Sequence, residues 1–584
     1  MSIRDLPANL ILGVRNLRCR LASWNRAWVT LNLRGSFPER RPSRPSIPFP
    51  LNRYISVTPE TSLEETRQVF ERLAAAGWVS GVIVRLEELD ADLTALDSLR
   101  SMVLDLRAGG KPVIAWLGTI SLANWFLASA CSSIVMPPSG RVSALGLRAE
   151  VTFLRDTLAL AGIEADLEAI GEYKSAPDTF RRSEMAGPHR EMLDAILDSL
   201  FEQIVDAIAD GRGLAPADVR RWIDAMPLLP GEALSAGLVD AVLYEDELPG
   251  FCCARETPAD GMPRSSGSEA LSSTTNGRPG FLTWHEAEGR LRRPVRWTTR
   301  QRVGVVAVEG MIIPGRSRRF PAPIPLVNRM AGAVTIVQRL RAAEADKRIA
   351  AVVLYVDSPG GAALESDLIW REVRRLRSRK PVVVLMGAQA ASGGYYVAAS
   401  ANWIVCRPAT LTGSIGIWGG KPVIGGLLDR LQVRTEVVQR GSMAGMYSAV
   451  TRFAPEERAR VERDQRAFYD RFKAVVAEGR NMTETQIEAA ARGRVWTGAQ
   501  ALDVGLVDQL GGFQDALEKA KELAGIAEDV DITVVSVSSP QHARLPASFE
   551  PDETGGVSRV FSDMWSLWAT PRLWALAPWV AVIR

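Results

Sequence analysis

Histidine is scarce. The 584 residues include only three, His189, His285 and His542, scattered along the chain. A histidine-based metal centre or a Ser-His-Asp triad is therefore poorly supplied. Cysteine is also scarce and odd in number (Cys19, Cys131, Cys252, Cys253 and Cys406), with no C-x-x-C pair. That spacing argues against a zinc ribbon or dithiol redox site, and free thiols in a reducing compartment are the simplest reading. An excess of one charge is missing too: 70 basic against 67 acidic residues leave a net charge of +3. Such a balance gives no reason to expect a nucleic-acid partner. Long apolar runs are absent, since Arg15, Arg18 and Arg20 interrupt the run at Leu10–Val14 before it reaches signal-core or membrane-spanning length. The stretch from Ile3 to Trp28 has two readings, a basic amphipathic helix on an anionic membrane face or a helix docked on its own protein.

What is present is an ordinary globular composition, 47% hydrophobic and 23% charged, on a chain too long for one core. Two stretches break the pattern. Ser36–Pro50 is rich in Pro and Arg and reads as an extended linker, and Thr257–Gly280 is dominated by Ser, Thr, Gly and Asn. The organisation expected from these breaks is an extension and linker over 1–50, a first unit over 51–250, a linker over 251–301, a second unit over 302–540 and a Trp-rich tail over 541–584.

The two units repeat one another. KPVIAW at 111–116 parallels KPVVVL at 380–385, and WFLASA at 125–130 parallels YYVAAS at 395–400. The offset holds through the middle section: 395 − 125, 416 − 146 (Gly146, Gly416) and 441 − 171 (Gly171, Gly441) all equal 270. GLVD recurs at 237–240 and 505–508, where 505 − 237 = 268. A constant register over so many points marks an internal repeat. Within each unit, short β-branched runs such as Val352–Val356 and Val382–Met386 predict buried parallel strands. Between them, Glu365–Arg377 places Leu368, Ile369, Val373 and Leu376 on one helical face. Pro455–Arg480 predicts a long charged helix with Phe468, Tyr469, Phe472 and Val475 as its apolar stripe. The fold class is α/β, twice over.

A serine stands in the loop after the Val382 strand, in AASGGYY at 390–396, just before a helical run. At such a turn a serine lies near the free N–H groups of the helix, which can hold an oxyanion. A second set of backbone donors is offered by DSPGG at 357–361. Taken alone, either motif is also what a Gly-rich turn packing a helix tightly on a sheet would show.

Taken together and in order, SPGG (358–361), ASGGYY (391–396), LTGSIG (411–416), VWTG (495–498) and GLVD (505–508) resemble the signal peptide peptidase A (protease IV) family, peptidase family S49, in its long tandem form. The resemblance spans both repeats and leaves out the extension, the central linker and the tail. It implies two tandem repeats of a ClpP/crotonase-like βαβ superhelix and a serine endopeptidase with a Ser/Lys dyad. Ser392 would be the nucleophile, and Lys174, in GEYKSA at 171–176, the base. Ser414 would orient the lysine, and the oxyanion hole would combine Gly393 with Gly360 or Gly361. No metal and no cofactor are implied.

The internal alignment bears on the same residues. Since 174 + 270 = 444 and 392 − 270 = 122, the counterpart of Lys174 is Ala444 and that of Ser392 is Leu122. Each repeat keeps one half of the dyad. A lysine acts as a base only when neutral, so burial away from carboxylates has to lower its pKa. Tyr173 and Ala176 supply apolar flanks, and Glu172 is expected to face away.

The resemblance further implies hydrophobic peptide substrates, signal-peptide remnants among them, and a homo-oligomer, a tetramer in tandem members. Those members are usually tethered by an N-terminal transmembrane helix, from which this sequence departs. Its expected place is therefore peripheral, on the cytoplasmic side of a membrane. The tail over 564–583, with Trp565, Trp568, Trp574 and Trp579 interrupted by Pro571, Arg572 and Pro578, either meets a bilayer interface or packs on protein. Two rival readings stand beside the peptidase: a catalytically silent peptide-binding scaffold, and a crotonase-like enzyme acting on CoA thioesters.

Overall fold

The computed structural model describes residues 6–22, 24–41, 61–256, 280–293, 301–319, 329–538 and 573–576. Most of the Pro/Arg-rich linker, the central Ser/Thr/Gly stretch and most of the Trp-rich tail lie outside the described residues. Helix α1 (Leu6–Leu21) rests on its own protein. Arg15 Nη2 and Asn16 Nδ2 donate to the carbonyls of Glu288 (3.0 Å) and Arg293 (2.7 Å).

The first repeat contains β1 (Ala27–Gly35), β2 (Val79–Leu89), α2 (Leu93–Ala108), β3 (Val113–Trp116), α3 (Leu122–Ala128), β4 (Ser133–Met136), β5 (Glu164–Ile170), α4 (Gly187–Arg212), β6 (Ala241–Val242) and β7 (Gly280–Thr283). Six of these strands form a parallel sheet in the order β6-β4-β3-β2-β1-β7. The expected boundaries are corrected here. Strand β1 falls inside the supposed extension and β7 inside the supposed linker, yet both belong to the sheet. Val29, Leu31 and Leu33 of β1 are buried, so the sheet needs this strand to cover β2.

The second repeat contains β8 (Arg302–Glu309), β9 (Met311–Ile313), β10 (Arg329–Gly332), β11 (Ile349–Ser358), β12 (Gly360–Ala362), α5 (Ala363–Arg377), β13 (Val382–Ala391), α6 (Gly393–Ala398), β14 (Trp403–Cys406), β15 (Leu411–Gly413), β16 (Ile417–Val423), α7 (Pro455–Arg480), β17 (Val495–Thr497), β18 (Thr533–Ser536) and β19 (Leu573–Leu576). Its main sheet runs β17-β15-β13-β11-β8-β18, with β14 also on β13. The pairing Val352↔Val382 repeats Val82↔Val113 of the first sheet. Strand β11 is buried along nearly its whole length because helices cover both faces of a parallel sheet. Helix α5 buries Ile369, Val373 and Leu376 as predicted, but Leu368 is exposed and Trp370 takes its place in the core. Helix α7 buries Tyr469, Phe472 and Val475 and leaves Phe468 half-buried.

A third sheet joins the repeats. After the short strand Arg318–Arg319 its order is β10-β9-β12-β19-β16-β5. Strand β5, from the first repeat, pairs antiparallel with β16, from the second, from Ile417↔Ile170 to Val423↔Glu164. Arg458 of α7 clamps this junction by pairing with Asp166 (2.6 Å) and Glu168 of β5.

Candidate active site

Strand β13 carries the chain to Ser392 and α6 leaves from it. Ser392 has φ 55° and ψ −115°, a strained conformation for a side chain other than glycine. It is held there from both sides: its N–H donates to Gly413 O (2.7 Å), and its carbonyl accepts from Tyr396 N in α6 (2.8 Å). This is the geometry of a strand-to-helix elbow, which turns the hydroxyl out of the sheet's end. Glycine at 394 is required because a Cβ there would lie 2.6 Å from Ser358 O.

Lys174 arrives from the other repeat. After β5, Gly171 (φ 106°) turns the chain, and Lys174 N donates back to Gly171 O (3.0 Å). Tyr173 N donates to Arg492 O (2.9 Å), and a Cβ on Gly493 would come within 2.6 Å of Lys174 N. The lysine backbone is thus wedged against the second repeat. Its side chain is 1% exposed, and Nζ lies 2.7 Å from Ser392 Oγ, 3.0 Å from Ser414 Oγ and 3.0 Å from Ser414 O. Ser414 is itself buried, with φ 53°, and its N–H donates to Arg494 O (2.6 Å).

Electrostatics favour a neutral amine. Burial alone drives the Lys174 pKa well below that of an ordinary lysine, with no carboxylate opposing it. Glu172 is turned aside and pairs with Arg492. Tyr173 closes the outer side, its hydroxyl donating to Glu191 (3.2 Å) and its ring covered by the guanidinium groups of Arg492 and Arg494.

The structure thus brings Lys174, Ser392 and Ser414 together, and Gly393 opens α6 beside the hydroxyl. Gly360 and Gly361 line the adjacent strand β12, with the Gly360 N–H engaged by Ser358 Oγ (3.2 Å). Sequence reasoning assigned no role to two features here. Ser358, whose hydroxyl donates to Gly310 O (2.6 Å), braces the DSPGG loop, and its place inside that motif was the available signal. The Arg492–Gly493 wedge had no signal, because it acts through backbone atoms far along the chain. Nearby, Asp357 is half-buried, with its carboxyl pushed up to about 7, by loss of solvent first and then by Asp92 and Glu309.

Known peptidases are similar to this chain in sequence. Peptidase family S49 matches residues 105–249 and 374–527, and the Clp protease family matches 326–413. The chain is 30% identical over 493 residues to "Protease 4" of Salmonella typhi, covering 81% of this chain and 75% of that one. It is 29% identical over 496 residues to "Protease 4" of Haemophilus influenzae, covering 83% and 75%. Against "Serine protease SPPA, chloroplastic" of Arabidopsis thaliana the identity is 28% over 518 residues, covering 88% and 71%.

Proposed function

Because the chain belongs to peptidase family S49 and is a serine-type peptidase with the family's domain present twice, we propose that Ser392 is its nucleophile, Lys174 its general base and Ser414 the group that orients the lysine. The observation that carries this reading is the 2.7 Å contact between Lys174 Nζ and Ser392 Oγ, made across the two repeats in a buried site free of carboxylates. Neutral Lys174 takes the Ser392 proton as the hydroxyl oxygen bonds to the peptide carbonyl carbon. The N–H of Gly393, with that of Gly361, holds the oxyanion, because the Gly360 N–H is committed to Ser358 Oγ (3.2 Å). Lys174 then gives its proton to the leaving amine as the C–N bond breaks. It next takes a proton from the water that releases the acyl group.

The substrates under this reading are hydrophobic peptides such as signal-peptide remnants, taken at a membrane surface. Among the described residues no helix is long and apolar enough to cross a bilayer. Leu10, Val14, Leu17 and Leu21 of α1 are exposed, which suits peripheral contact. Flotation with anionic liposomes tests this, and a protein wholly unbound would contradict it.

A homo-oligomer belongs to the same proposal. In the first repeat β5 finds its partner in β16. Its counterpart in the second repeat, 434–440, is wholly exposed and unpaired as a strand, with Val437 and Val438 bare. The counterpart of β16, residues 147–153, is equally without a strand partner. Pairing 434–440 of one copy with 147–153 of the next would repeat the internal junction head to tail and close a ring. Val438→Pro should then yield smaller species in sedimentation, and an unchanged assembly would contradict this arrangement.

The dyad itself is tested by following cleavage of a fluorogenic peptide with an apolar P1 residue by the wild type, Ser392→Ala and Lys174→Ala. Both variants are expected to be folded and inactive. Equal turnover by all three would contradict the assignment and leave only a binding role.

A further inference from the structure

Beside Ser392, strands β12 and β16 do not touch each other. A single strand lies between them, and it is β19, the Leu573–Leu576 segment of the chain's own C-terminal tail. It runs antiparallel to both neighbours, with Gly360↔Leu576, Gly361↔Ala575 and Ala362↔Trp574 on one side, and Trp418↔Trp574 and Gly419↔Leu573 on the other. It also packs against α5 and α6, the latter being the helix that begins immediately after Ser392.

Three features make this slot a receptor for a peptide main chain. Its width is set by two strand spacings of about 4.8 Å each, so one extended strand fills it. Both edges offer backbone N–H and C=O groups, which recognise any extended peptide whatever its side chains. One wall is Gly360 and Gly361, where side chains are excluded: a Cβ on Gly361 would lie 2.0 Å from Ile312 O. The same wall carries the candidate oxyanion donors, so a strand bonded to it has its backbone laid alongside the nucleophile.

We propose that this slot is the peptide-binding site and that the C-terminal tail is its tethered occupant, a built-in competitor that must leave before another peptide is cleaved. The proposal rests on the dyad reading above. The tail's composition suits the role, since Leu573–Leu576 is apolar throughout, as the proposed substrates are. Tethering keeps the segment at high local concentration, so even a weakly held strand raises the apparent KM.

The test uses the full-length chain and Ala575→Pro. The segment has a partner strand on either side, so removing its central N–H loses a ladder bond. Hydrogen exchange is read at 360–362 and 417–420 in the Ser392→Ala background, and kcat/KM for an apolar peptide in the active background. Expected are faster exchange at both edges and a rise in kcat/KM of about tenfold, carried by KM. A synthetic peptide spanning 570–584 should restore protection and compete with substrate. Unchanged exchange at both edges would overturn the proposal, as would an unchanged KM in an active enzyme. If neither protein cleaves peptide, the dyad reading fails, and exchange alone then decides whether the tail occupies the slot.

Discussion

The two repeats share a frame and differ in what they hang on it. In the first, Arg212 of α4 pairs with Asp240 of GLVD (2.8 Å), and Asp240 also accepts from Ile134 N at the start of β4 (2.7 Å). In the second, Arg480 of α7 pairs with Asp508 (2.6 Å), which accepts from Ile404 N in β14 (2.8 Å). Lys111 donates to the carbonyls of Ala76 and Val79, and Lys380 to those of Ala343 and Asp346. Both long helices end in the left-handed region, at Gly213 (φ 65°) and Asn481 (φ 52°). The motifs KP and GLVD therefore serve the frame, tying strand ends to helices, and recur for that reason.

The chemistry is not repeated. Only the second repeat has the elbow serine and the Gly360–Gly361 strand, whose counterparts in the first are Leu122, Asp90 and Ala91. Only the first has the lysine. Duplication freed each copy to keep one part, and the β5–β16 junction brings the parts together. What distinguishes a functional motif from a structural one here is that the structural ones appear twice.

The largest expected effect contrasts the serine positions. Ser392→Ala should lower kcat by about a thousandfold or more, and adding Leu122→Ser to that variant should restore nothing, because the first repeat has no Gly-Gly strand beside position 122. Recovered turnover in the double variant would show that the first repeat keeps a working oxyanion site of its own.

The frame should respond equally in both halves. Asp240→Ala and Asp508→Ala each leave a largely buried arginine without its partner and should each destabilise by about 3 kcal/mol, read by calorimetry. A large loss from one and none from the other would show that the frames are not equivalent.

Lys174→Met should sharpen the contrast by stabilising the protein while abolishing turnover. The folded pKa of Lys174 is lowered, so the unfolded chain binds the extra proton between that value and the ordinary 10.5. The destabilisation from burying the lysine is therefore largest at low pH and fades as pH approaches 10.5. The Tm advantage of Lys174→Met should shrink over the same range.

Asp357→Asn should act more weakly and with the opposite sign of pH dependence. Its carboxyl is raised to about 7, so the fold favours the protonated form. The variant should be more stable than wild type at pH 8 and lose that advantage as pH falls toward 4.

Much of this was legible in the sequence because it is local or repeated. The β-branched runs gave the strands, the offset of 270 gave the tandem frame, and the motifs gave Ser392, Lys174 and Ser414. Pairing between distant segments was not legible. Strand β1 lay hidden behind the Pro/Arg-rich linker, although its apolar alternation was there to read. The β5–β16 junction, the Arg492–Gly493 wedge and the insertion of β19 depend on backbone hydrogen bonds, which any side chain can make.

The central claim is that a neutral lysine from one repeat activates the serine of the other. Its most direct test is the pre-steady-state rate of Ser392 acylation by an apolar peptide across pH 6 to 10, in the wild type and in Lys174→Ala. Expected is a wild-type rate that rises with pH to a plateau reached well below the ordinary lysine range, and its loss in the variant. A rise that follows an ordinary lysine near 10.5, or a variant that acylates as fast as the wild type, would contradict it.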